Sequence, residues 1–105
     1  AGSLVCEAVL AEACHLVAKE AVSRWRLIEF VRRVRLQPIC LANELEALGD
    51  LLKRYADVPM DFADACVVRL AELHPGTTVC TTDTDFRFYR MNERQVIPLL
   101  APFDR

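Results

Sequence analysis

Val79-Cys80-Thr81-Thr82-Asp83-Thr84-Asp85-Phe86 is the stretch that decides the fold: a short β-branched run that ends in two carboxylates. Thr77 to Thr82 reads as a buried strand. Just before it, Pro75-Gly76 stops a helix expected from Met60 to Leu73. In that helix Ala63, Cys66, Val67, Leu70 and Leu73 recur at three- and four-residue spacing, so one side is apolar. A helix that turns tightly into a short apolar strand is one repeat unit of a parallel α/β sheet.

Outward from this unit the same alternation continues. Glu7 to Glu20 reads as a helix with Val9, Leu10, Ala13, Leu16 and Val17 on a buried stripe and Glu12 at its edge, where partial burial is expected. Ser23 is a fair N-cap for a second helix through about Val34, with Leu27, Ile28, Val31 and Val34 inward and the arginines elsewhere. Pro38 interrupts that pattern, and Pro38 to Leu41 is expected to be a strand, followed by a helix from about Asn43 to Tyr55. Val96 to Leu100 reads as a last strand. The expected architecture is a three-layer α/β/α domain with a mainly parallel central sheet. It spans residues 4–105, and Ala1-Gly2-Ser3 reads as a cloning remnant outside the fold.

A chain of 105 residues, 53% hydrophobic and 27% charged, suits one globular domain with its own core. Its longest apolar stretches, such as Ala8 to Ala11 and Val96 to Ala101, fall far short of the roughly 20 residues that span a bilayer. The five cysteines, Cys6, Cys14, Cys40, Cys66 and Cys80, are odd in number, widely spaced and without a C-x-x-C pair. That usage argues against zinc or a disulfide framework and for buried free thiols in a reducing cytoplasm. Net charge is −2, but Ser23 to Arg35 holds five arginines and one glutamate, a local +4 that leaves −6 elsewhere. A solvated helix face explains that run, and so does a basic surface beside an acidic pocket.

Ligands of open parallel sheets bind beyond the carboxyl ends of the strands, where Asp83 and Asp85 lie. Asp64 is a second candidate, in the early part of a helix between Ala63 and Ala65, whereas Asp61 reads better as a favourable helix-dipole residue. Carboxylates without histidine or cysteine are hard oxygen donors suited to Mg²⁺ or Mn²⁺. Such a metal activates water and stabilises charge on a phosphate.

Leu10-Ala11-Glu12, then Tyr55-Ala56-Asp57 leading to Asp61-Phe62-Ala63-Asp64-Ala65, then Thr81-Thr82-Asp83-Thr84-Asp85-Phe86, resemble PIN-domain toxins of bacterial toxin–antitoxin pairs. The similarity runs from about Leu4 to Pro102. It implies a PIN-like fold, and Mg²⁺- or Mn²⁺-dependent cleavage of RNA by Glu12, Asp64 and Asp83, with Asp85 as an accessory ligand. It also implies an antitoxin protein that covers the groove near the site. Such proteins open with an apolar strand ending in Asp, central to the sheet, and this chain has no Asp before Asp50. The expectation is therefore an N-terminally incomplete PIN-like domain. Two strand edges would be left open, favouring a homodimer or a separate N-terminal fragment.

The remaining candidates divide by environment. Arg24, Arg32 and Arg33 are expected to bind RNA, with Arg26 beside them, while Trp25 is expected to pack in the core rather than stack on bases. His15 reads as a surface histidine and His74 as a helix-end residue. Asp83-Thr84-Asp85 as the nucleophile pair of a haloacid-dehalogenase-like phosphatase is disfavoured, since that motif opens its fold and here only 20 residues follow Asp85. A PIN-like module that acts only through protein partners is the alternative to an enzyme.

Overall fold

The structure, a computed structural model, describes residues 3–82 and 96–98. The chain runs β1 (Leu4–Cys6), α1 (Glu7–Lys19), α2 (Arg24–Arg33), β2 (Gln37–Ile39), a 3₁₀ turn (Ala42–Glu44), α3 (Leu45–Arg54), α4 (Phe62–Leu73), β3 (Val79–Thr81) and β4 (Val96–Pro98). The four strands form one sheet in the order β2-β1-β3-β4, every pairing parallel. This is the expected α/β class. The strand Leu4–Cys6, which the sequence pattern did not reveal, lies inside that sheet. Three residues that pass straight into a helix carry too little alternation to register as a strand.

Pairing along the sheet is uneven. β1 meets β2 over three residues, and β3 meets β4 over three, but β1 and β3 share only Leu4 opposite Val79. Leu4 N–H donates to Thr78 C=O at 2.9 Å across that seam. The two edges expected to stand open are thus drawn together, since unpaired buried backbone groups are costly.

The core forms where helices cross the sheet. Leu27, Leu48, Leu51, Leu70, Val5, Val9, Val17, Val67, Val68 and Val79 are all fully buried. Each large side chain among them contributes about 1.5–3 kcal/mol by leaving water. α4 is buried almost all round, from Asp64 through Val68 and again at Leu70 and Ala71. It packs on α1, α3, β1 and β3 and so anchors the domain. Its Arg69 escapes the cost of partial burial by pairing with Glu44 at 2.7 Å and Glu72 at 3.2 Å, ion pairs that raise its pKa.

α1 and α2 end alike. Ala21 and Arg35 both adopt φ 57°, and the residues after them, Val22 and Leu36, donate backbone N–H bonds of 3.0 Å to Val17 and Val31. Val22 and Leu36 are themselves buried. This is a Schellman-type stop built without glycine, and the left-handed residue costs about 1–2 kcal/mol in each case.

Several inward assignments need correction. Ile28, Val34 and Leu73 are 39%, 51% and 39% exposed. Among the described residues α2 packs mainly on one helix, α1, and fully buries only Leu27 and Val31, a stripe narrower than the periodicity implied. Trp25, expected in the core, is 67% exposed for the same reason. Cys6, Cys66 and Cys80 are buried thiols as expected, but Cys14 is half-buried and Cys40, just past the end of β2, is exposed. No helix among the described residues is long and apolar enough to cross a membrane.

Candidate active site

The start of α4 is fixed by two aspartates. Asp61 is the N-cap, with extended backbone, and its Oδ1 accepts from the Asp64 N–H at 2.8 Å. In return Asp64 Oδ2 accepts from the Asp61 N–H at 3.0 Å. This reciprocal capping box satisfies two orphan donors and puts two negative charges at the positive end of the helix. The reading of Asp61 as a helix-dipole residue is confirmed. Asp64, only 9% exposed, thus has a structural reason for its burial.

Glu12 lies on α1, half-buried as expected. Its Oε1 accepts a hydrogen bond from the Thr82 hydroxyl, just past the carboxyl end of β3. Glu12, His15, Asp61, Asp64 and Thr82 line one open cleft of about 560 Å³. The structure therefore brings Glu12 and Asp64, far apart in sequence, to one site. Asp83 and Asp85 lie outside the described residues.

Thr82 was not singled out from sequence, and His15 was read as an ordinary surface histidine. Thr82 is visible only once β3 is set beside α1. His15 is exposed as expected but faces the cleft, and its place one helical turn after Glu12 was the available signal. His74 caps the C-terminal end of α4, as its position before Pro75 implied. Arg24, Arg32 and Arg33 are all exposed on α2, outside this cleft, and Arg32 pairs with Glu29 at 2.6 Å.

Apart from the His15 imidazole, the side-chain donors lining the cleft are oxygens, and its carboxylates suit Mg²⁺ or Mn²⁺ rather than a thiophilic ion. Among the described residues no group of three or more His, Cys, Asp or Glu is placed to hold a metal ion. Glu12 and Asp64 line the same cleft, and the position following Thr82 in sequence is another aspartate. Behind α4's first turn a second, apolar cavity is lined by Cys6, Cys40, Phe62 and Cys66. There a hydrogen bond from the Cys66 thiol holds Cys6 down to about 7, against the opposing effect of burial, while Cys66 is pushed well above the usual thiol range. Burial alone raises Cys80.

Comparison with curated proteins and with solved structures returns no match. The PIN domain family matches residues 2–93, which include β1, the cleft and the aspartates after β3. The chain belongs to the PIN-domain family, whose members are generally nucleases and typically use divalent metals.

Proposed function

We propose that the chain is a Mg²⁺- or Mn²⁺-dependent endoribonuclease, the toxin of a toxin–antitoxin pair, with Glu12, Asp64 and Asp83 as its catalytic acids and Asp85 as an accessory ligand. The observation that carries this reading is the meeting of Glu12 and Asp64 in one cleft at the carboxyl end of β3. The hydrogen bond from Thr82 to Glu12 supports it further, because Thr82 directly precedes Asp83.

When bound, the metal supplies a polarised water and neutralises charge on the phosphate. The chain's own residues do the positioning. Thr82 fixes the Glu12 carboxylate, and the Asp61 backbone N–H fixes that of Asp64, so neither must be reordered to meet an ion or a phosphate. Arg24, Arg32 and Arg33 bind RNA from the basic helix. An antitoxin covers the groove at the cleft.

A fourth acid, on a strand supplied by a separate N-terminal segment, completes the set in this proposal, and a homodimer is the alternative way to cover the open strand edges. The seam between β1 and β3, held by one residue pair, is the least paired in the sheet and has to open to admit such a strand. Free cysteines throughout the described residues agree with a reducing cytoplasm. The competing reading is a PIN-like module that works only by binding proteins. Its support is the capping box, which gives Asp64 a role without catalysis.

Cleavage of single-stranded RNA by the chain supplemented with an Asp-bearing strand, fused or as a peptide, separates the two. The enzyme reading predicts metal-dependent cutting that stops in EDTA and with Asp64→Asn. Cleavage that persists in EDTA overturns the mechanism, and absence of both cleavage and metal binding favours the module.

A further inference from the structure

Trp25 is the only tryptophan of the chain and the second residue of α2, with 67% of its surface in water. A side chain this large normally contributes its area to a core or an interface. At 100° per residue, Arg24 and Arg26 flank it on either side, and Arg32 returns to the same line two turns later with Arg33 beside it. Ile28, 39% exposed, continues the apolar surface next to the indole. All five arginines from Arg24 to Arg35 are exposed, and Glu29 is the single acid among them, already paired to Arg32.

Charge decides what this face can hold. The segment carries +4 on a chain of −2, so a polyanion is attracted here and repelled by the remainder. A symmetric contact with a second copy would set five guanidinium groups against five more. An acidic peptide would use the arginines but has no need of an open indole face. Single-stranded nucleic acid uses both, with a base on the ring and phosphates on the guanidinium groups. A duplex cannot, since its bases are already stacked.

We propose that Trp25, flanked by Arg24 and Arg26 and continued by Arg32 and Arg33, is a stacking platform for an unpaired base of a single RNA strand. It is separate from the cleft. No residue of α2 lines that cleft. The platform holds substrate away from the acids, so it governs affinity and not the chemical step. It rests on the ribonuclease reading for its substrate class, yet the two fail independently.

The single tryptophan makes the test direct. Fluorescence of the chain titrated with a short oligouridylate in EDTA should fall saturably, as an indole covered by a base is quenched. Trp25→Ala should weaken binding of a labelled oligouridylate, read by anisotropy, about 5- to 150-fold, the effect of about 1–3 kcal/mol per stacked base. Trp25→Phe should recover most of it. Replacing Arg24 and Arg26 by Gln should flatten the salt dependence by about 0.7 in log–log slope for each phosphate that the arginines no longer neutralise. Asp64→Asn should leave the quenching intact, so a nuclease reading that fails does so with binding preserved. Unchanged fluorescence, or unchanged affinity in Trp25→Ala, overturns the platform. Equal quenching by polyglutamate would assign the face to an acidic protein partner instead. Self-association on sedimentation that shifts Trp25 fluorescence without RNA would assign it to a second copy.

Discussion

Asp61 and Asp64 share a capping box, yet a pair of substitutions should pull their roles apart. Asp61→Ala removes the acceptor of the 2.8 Å bond from the Asp64 N–H and one charge from the positive end of α4. Loss of an N-cap aspartate costs typically about 1 kcal/mol and at most about 2. In a domain of this size each kcal/mol lowers Tm by roughly 4–8 °C. Asp64→Asn keeps an oxygen at the 3.0 Å bond from the Asp61 N–H and removes only charge. The missing dipole interaction of about 0.3–1 kcal/mol is offset by relief of repulsion between two neighbouring carboxylates, leaving a small net change. Thermal unfolding followed by circular dichroism, with metal binding measured on the same samples, checks both halves. Asp61→Ala should be the less stable protein, and Asp64→Asn the one that no longer binds Mn²⁺. Equal destabilisation by both, with metal binding retained in Asp64→Asn, would show that Asp64 is a cap and nothing more.

Ala21→Gly should stabilise the domain by up to about 1 kcal/mol in urea titration, because glycine adopts φ 57° without the steric penalty, less its greater entropy when unfolded. Leu70→Ala, at a fully buried position of the central helix, should cost about 2–5 kcal/mol in the same assay. Stability should also depend on pH through the cysteine pair. With Cys6 held near 7 and a free thiol at 9.0, the folded state releases a proton first, so stability rises between pH 7 and 9 and is lost as pH falls through 7. Cys66→Ala removes the hydrogen bond responsible, and its denaturation midpoints should be flatter over that window.

Helices were legible because their signals are local. The spacing of Val9, Ala13 and Val17, the stop at Pro75-Gly76 and the acids at Asp61 and Asp64 all lie within a few residues of one another. Short strands were less so: Gln37–Ile39 falls one residue before the expected start, and Leu4–Cys6 gave no periodic signal at all. Exposure on α2 could not be foreseen from its own sequence. Whether Trp25, Ile28 and Val34 are covered depends on which helix packs against them, and with α1 as its neighbour α2 fully buries only Leu27 and Val31. In the cleft, Glu12 and Asp64 were identified by motif resemblance, while their meeting point, and the parts played by Thr82 and His15, exist only in three dimensions. The capping role of Asp64 was concealed for a different reason, since a carboxylate at the third position of a helix serves the backbone and a ligand equally well.

Mn²⁺ binding to the 105-residue chain, measured by electron paramagnetic resonance for the wild type and for Glu12→Gln, Asp64→Asn and Asp83→Asn, tests the central claim most directly. Carboxylates from α1, α4 and the segment after β3 are predicted to form one divalent-cation site. The wild type should take up one ion at millimolar metal or below, each substitution should weaken it markedly, and saturation at about a hundredfold above Kd should stabilise the fold by about 2.7 kcal/mol. Binding that is absent in the wild type, or that all three substitutions leave unchanged, would contradict the assignment.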